Sequence, residues 1–206
     1  MVGRCQAKPA QSRSSFSLVA MAASAGGLQA LGTVLSSLPS RLPAAIVVVQ
    51  HLDPRHRSRM AEILAKRTAL HVAEAVEGEQ LRPGQVRIAP PDRHLLVNPD
   101  GSLTLSQSEL VHFVRPSADL LFESAAAAFG KRVIAVVLTG TGSDGAMGVT
   151  AVKKMGGTVI AQDEASADFF GMPGAAIKVG AVDLVLPLAE IPSAIVALAT
   201  GSGVHE

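Results

Sequence analysis

Residues 16–27 read Phe16-Ser17-Leu18-Val19-Ala20-Met21-Ala22-Ala23-Ser24-Ala25-Gly26-Gly27. The first eight positions are almost continuously apolar and do not alternate, the pattern of a strand buried on both faces of a parallel sheet. Leu28, Leu31, Val34, Leu35 and Leu38 then recur at helical spacing, and Pro39 and Pro43 end that helix. A strand, a turn of small residues and a helix make the opening unit of an α/β fold. Ser24 sits in the turn among residues too small to shield it. A serine so placed has its hydroxyl lifted out at the sheet edge, and the backbone N–H groups that open the next helix point at the same spot. The stretch departs from the hydrolase elbow G-x-S-x-G, since Ala22 replaces the first glycine. A Gly-rich loop that cradles a phosphate, or only turns the chain, is the plainer reading of these residues alone.

The same alternation continues outward. Ala44–Gln50 is a second buried strand, rich in β-branched residues, with His51 at its end and a helix expected from Arg57 to Lys66. The strand within Lys131–Thr139 runs into Gly140-Thr141-Gly142-Ser143-Asp144-Gly145, a second Gly-rich loop, and a helix is expected over Ala146–Met155. Thr158–Gln162 and Leu184–Leu186 are further strands, with a last helix near Ile191–Ala199. The middle differs. Val72–Val76, Val86–Ala89, Leu95–Asn98 and Leu103–Ser106 are short and partly alternating, separated by Pro-Gly, Pro-Pro-Asp and Asn-Pro-Asp-Gly turns. They read as one strand joining the sheet and then a small antiparallel meander. Ser117–Phe129 reads as an N-capped helix. The fold class is therefore α/β: a doubly wound, mostly parallel, Rossmann-like three-layer sheet with a small antiparallel hairpin or meander insertion. One domain is expected over residues 16–201, between a flexible tail at 1–15 and a short one at 202–206.

Composition narrows the function. The 206 residues are 48% hydrophobic and 17% charged, a globular balance, and the net charge of +1 gives no electrostatic case for nucleic acid. Tyr and Trp are absent, so base-stacking platforms are few. The single cysteine, Cys5, can form neither an internal disulfide nor a Cys-based zinc cage, which fits a reducing, cytoplasmic setting. No stretch reaches the roughly 18 apolar residues of a membrane span. The basic N-terminus followed by Phe16–Ala23 mimics a signal peptide, but the apolar run is short and is needed as the first strand. No metal or cofactor is expected.

Ser24, His51 and Asp144 each follow the end of a buried strand. In open parallel sheets the carboxyl ends of the strands form the ligand crevice, so the three can converge there. A hydroxyl, an imidazole and a carboxylate at one edge are the parts of a hydrolytic triad: nucleophile, base, and the group that fixes the base. Each alone has a plainer role. Ser24 can be there for its small size, His51 can cap a strand end, and Asp144 can N-cap the helix after Gly145.

Six blocks carry a family resemblance. Ala23-Ser24-Ala25-Gly26-Gly27, Gln50-His51 and Leu138-Thr139-Gly140-Thr141-Gly142-Ser143-Asp144-Gly145-Ala146 resemble the three active-site motifs of the chemotaxis protein-glutamate methylesterases (CheB type). The stretches at 88–97, 114–122 and Phe170-Gly171-Met172-Pro173 resemble the family's hairpin, its Arg-Pro-Ser helix start and its Phe-Gly-Met-Pro turn. The resemblance implies a serine hydrolase that cleaves γ-glutamyl methyl esters on the cytoplasmic helices of methyl-accepting chemoreceptors, and that often deamidates receptor glutamines. It implies a Ser24–His51–Asp144 triad, backbone oxyanion donors at Ala25 and Thr141, and a cleft arginine at Arg115, whose plainer role is a solvated helix flank. The family commonly has Gly at Ala22, Thr at Ala25, Met at Thr141 and Asn at Ser143. Its best-known members carry an N-terminal receiver domain, whereas about 16 residues precede the first strand here. A separate receiver or methyltransferase protein is thus a further expected partner. The alternatives are a binding module that keeps the fold without the chemistry, and a nucleotide-binding protein. The latter is disfavoured because Ser24-Ala25-Gly26-Gly27 is neither G-x-G-x-x-G nor a P-loop with its lysine, and no acidic residue follows the second strand in the position expected to bind a ribose hydroxyl.

Overall fold

The structure, a computed structural model, describes residues 16–51 and 58–201. Strand β1 (Ser17–Ala23) lies at the centre of the sheet and is buried from Leu18 onward. Beside it run β2 (Ala44–Gln50) on one side and β7 (Val133–Val137) on the other, both parallel to it. With β3 (His71–Glu74), β4 (Gln85–Ile88), β8 (Thr158–Gln162) and β9 (Leu184–Leu186), the seven-stranded order is β3-β4-β2-β1-β7-β8-β9, every pairing parallel.

Two cores follow from the strand period of two. Leu18, Ala20 and Ala22 face α3 (Ala118–Phe129), α4 (Ala146–Lys154) and α5 (Gly171–Lys178). Val19, Met21 and Ala23 face α1 (Gly27–Ser36), α2 (Met60–Ala65) and α6 (Ile191–Thr200). The apolar runs do not alternate because both faces are covered, and Phe122, fully buried in the first core, contributes about 1.5–3 kcal/mol.

The middle segment corrects the sequence reading. Both β3 and β4 join the main sheet, β4 between β2 and β3, so only β5 (His94–Val97) and β6 (Leu103–Ser106) form an antiparallel hairpin. The hairpin sends Leu95, Val97 and Leu103 into the α3 core, which gives it a place without extending the sheet. The helix expected from Arg57 begins at Met60; residues 52–57 lie outside the described residues, as do both expected tails and Cys5. No helix among the described residues is long and apolar enough to cross a membrane.

Candidate active site

Because β2, β1 and β7 are adjacent, their carboxyl ends bring three loops together. The Ser24 amide donates to the Thr139 carbonyl (3.0 Å), and the His51 amide donates to the Ala23 carbonyl (3.2 Å). The buried Gln50 lies beneath both loops, its Nε2 donating to the carbonyls of Ser24 (2.7 Å) and His51 (3.1 Å). Gly27 makes room for this, since a Cβ there would run into Gln50 Oε1. Gly140 likewise lets the two Gly-rich loops approach: a Cβ on it would lie 2.8 Å from Ser24 Cβ and against Met172 Sδ.

Asp144 caps a helix, but not the one that follows it. Gly145, at φ +97°, occupies the N-cap of α4. The Asp144 carboxylate turns instead to the start of α3, accepting from the amides of Ala118 (2.6 Å) and Asp119 (3.2 Å) and from the Ser117 hydroxyl (2.9 Å). Its fourth donor is His51 Nε2, at 2.8 Å. Burial pushes the Asp144 carboxyl up. The hydrogen bonds from His51, the two amides and Ser117 outweigh that and hold it below the ordinary carboxylate range. Orphan N–H groups at a helix start suit a negative charge. Facing an ionised carboxylate, His51 Nε2 carries the proton and Nδ1 keeps its lone pair.

Ser24, His51 and Asp144 open on a common cleft of about 300 Å³, whose walls include Thr141, Ser143, His112 and Val114. Ala25 is half-buried beside Ser24. Among the described residues, the amides of Ala25 and Thr141 take part in no hydrogen bond. A profile of the CheB methylesterase family matches residues 19–195.

The chain belongs to the CheB methylesterase family.

Its relatives agree. The chain is 44% identical over 195 residues, 93% of its length, to a protein-glutamate methylesterase/protein-glutamine glutaminase of Moorella thermoacetica, 46% of which is matched. It is 44% identical over 87% of its length to the protein-glutamate methylesterase FrzG of Myxococcus xanthus, 54% of which is matched. The chain thus spans about half the length of these curated relatives. The crystal structure of the Thermotoga maritima CheB methylesterase catalytic domain superposes with a TM-score of 0.86 at 40% identity, covering 89% of this chain and 99% of that one.

Within this CheB-type fold, Arg115 is placed differently from the expected cleft arginine. Its guanidinium donates to Asp92 Oδ1 (2.6 and 2.9 Å) and to the carbonyls of Gln107 (3.2 Å) and Ser108 (2.7 Å). Its donors brace the hairpin against the strand-to-α3 connection, and it is not among the residues that line the cleft. It is not a solvated flank either, since its side chain is only 19% exposed.

Several residues at the site escaped sequence reasoning. Ser117 has the extended backbone of an N-cap, yet its hydroxyl goes to Asp144 rather than to its own helix. Its amide donates to the buried His94 Nδ1 (3.1 Å), and His94 Nε2 in turn donates to the Glu109 carbonyl (3.0 Å), so His94 is a neutral ring with both nitrogens used. The Thr139 hydroxyl donates to the Ala25 carbonyl (3.0 Å) and accepts from the Phe169 amide (2.9 Å), which ties the Phe-Gly-Met-Pro turn to both Gly-rich loops. Thr139 stands directly before a Gly-rich loop, a signal that could have found it. His112 left no such signal.

His112 and Phe113 form the two-residue tip of a tight turn closed by mutual hydrogen bonds of Val111 and Val114 (2.9 and 3.2 Å). Both are left-handed, at φ +50° and +64°. Asn-Gly is the pair that suits such a turn, and bulkier residues held there cost about 1–3 kcal/mol each. His112 Nε2 lies 3.4 Å from Asp119 Oδ2. That contact stops short of a formed hydrogen bond, since Oδ2 has no hydrogen-bond partner among the described residues. The other oxygen of Asp119 accepts from the Gly148 amide at 2.7 Å. Burial pushes the Asp119 carboxyl up, against the Gly148 hydrogen bond; the neighbouring Asp144 charge adds to the rise and His112 opposes it.

Proposed function

We propose that this CheB-family domain hydrolyses γ-glutamyl methyl esters on the cytoplasmic helices of chemoreceptors, releasing methanol, and deamidates receptor glutamines. The observation that carries the reading is the ionised Asp144, seated on the α3 N-terminus and bonded to His51, in the cleft onto which Ser24 opens. The names of its relatives supply the substrate class.

Ser24 Oγ attacks the side-chain carbonyl while His51 Nδ1 takes its proton. Asp144 holds the tautomer and stabilises the imidazolium that results. The tetrahedral oxyanion is met by the backbone amides of Ala25 and Thr141, donors that survive the side-chain departures from the family pattern because they belong to the main chain. The imidazolium returns its proton to the departing methanol or ammonia. Water, deprotonated by His51, then releases the glutamate from its ester with Ser24. With cytoplasmic receptor helices as substrate the reaction belongs to the cytoplasm, and a separate receiver or methyltransferase protein is the partner class that would regulate or oppose it.

The test is methanol release from methylated receptor membranes by wild type, Ser24→Ala, His51→Ala and the double variant. Each single change should cost several orders of magnitude, with the double hardly worse, because residues acting as a unit are not additive. Independent, multiplying losses would contradict a shared role. No release by folded wild-type protein would favour a module that binds without hydrolysing.

A further inference from the structure

The cleft holds a second imidazole beside His51. His112 belongs to neither the triad nor the oxyanion donors, yet it shares their cleft of about 300 Å³. A cavity at the low end of ligand-pocket size leaves a substrate carbonyl at Ser24 within the neighbourhood of both rings. Two features keep His112 there at a cost to the fold. One is the pair of left-handed, non-glycine residues at the turn tip, a conformation that persists only where its surroundings enforce it and that clusters at functional sites. The other is Asp119, a carboxylate with a side chain only 5% exposed, whose Oδ2 faces nothing better than His112. A fold with no use for the imidazole would gain by replacing both.

The ring is oriented as well as held. Its Nε2 is turned toward Asp119 and the side chain is 58% exposed, which leaves Nδ1 as the ring nitrogen not directed at the carboxylate. In the neutral tautomer that turns its N–H toward the carboxylate, Nδ1 is an acceptor. An ester side chain offers no N–H and a helix's peptide N–H groups are already bonded within it, so the matching donor on a receptor helix is a side-chain amide next to the modified residue. Thr141 and Ser143, also on the cleft wall, present hydroxyls from the exposed Gly-rich loop without such a backing group.

We propose that His112 is a substrate-positioning residue, whose Nδ1 accepts a hydrogen bond from a side-chain amide of the receptor segment flanking the glutamate under attack. This rests on the methylesterase reading above. It makes specificity for a polypeptide substrate a property of the Val111–Val114 turn, separate from the chemistry at Ser24.

The experiment compares wild type, His112→Asn and His112→Gln in steady-state methanol release from methylated receptor membranes, with thermal melts of each. Asn adopts the left-handed turn readily but is too short to reach the amide; Gln is long enough to do so. The expected result is a rise in KM of about tenfold for His112→Asn with kcat nearly kept, and a return toward the wild-type KM for His112→Gln. A KM unchanged in both variants overturns the proposal and leaves the methylesterase reading standing. A fall in kcat with KM unchanged also overturns it, by moving His112 into the chemistry. Wild-type protein that melts cooperatively but releases no Ser24-dependent methanol removes the methylesterase reading, and the proposal with it.

Discussion

Replacing Ser117 by Ala tests how Asp144 is kept ionised. Asp144 has four donors, at 2.6 Å from Ala118, 2.8 Å from His51, 2.9 Å from Ser117 and 3.2 Å from Asp119. Without the hydroxyl, Oδ1 keeps the longest of these. Ser117 is fully buried, so water cannot take its place. A hydrogen bond to a charged group is worth about 1.5–3 kcal/mol, and at roughly 2–4 °C per kcal/mol for a chain of this size the melting temperature should fall by about 3–12 °C at neutral pH. The loss should depend on pH. Asp144 has a depressed carboxyl in the folded state, so its contribution is complete above the unfolded-state value of about 3.9 and is lost as pH falls through the lower folded-state value. The Ser117 hydroxyl supports the charged form, so the gap between variant and wild type should close over that same acid range. Urea unfolding at a series of pH values measures it. A gap of the same size at all pH values would mean that Ser117 acts as an ordinary helix cap or packing group, and the account of Asp144 would be wrong.

Two other perturbations follow from the geometry. Gly140→Ala would set a methyl 2.8 Å from Ser24 Cβ and against Met172 Sδ. Overpacking of this kind costs about 1–3 kcal/mol, and the displaced Ser24 should lose at least tenfold in kcat, read from methanol release and a thermal melt. Asp119→Asn keeps the acceptor for the Gly148 amide but removes a buried charge. Since the Asp119 carboxyl is raised, its ionisation opposes folding at neutral pH; the variant should melt higher than wild type at pH 7, with the gain vanishing as pH falls below the ordinary aspartate range.

The main sheet was legible because its strands are buried on both faces. Ala44–Gln50 and Thr158–Gln162 are the observed β2 and β8 residue for residue. Strand β4 was misplaced for a physical reason. Four residues, Gln85–Ile88, alternate enough to pass for a half-covered hairpin strand, and what puts them in the sheet is pairing with Ile46–Val48, far back in the chain. The positions of Ser24, His51 and Asp144 at strand ends could be read for the same reason as the strands. The partners of Asp144 could not: its cap is on a helix that starts 25–27 residues earlier, a contact made by tertiary packing alone. Arg115 shows the reverse, a polar residue in a suggestive motif whose donors are taken by Asp92 and two carbonyls. His112 was invisible, since nothing in Val111-His112-Phe113-Val114 announces a turn that favours Asn-Gly.

The cleft straddles a seam. Ser24 and His51 come with β1 and β2, while Asp144 comes with β7, far later in the sequence, which closes along the other side of β1 from Leu18 opposite Val133 to Ala22 opposite Val137. Until that closure, a growing or nicked chain owns a serine and an imidazole with nothing to orient them. On the proposed mechanism, hydrolytic competence is therefore a report on finished assembly. Two halves made separately would announce their reunion by turnover.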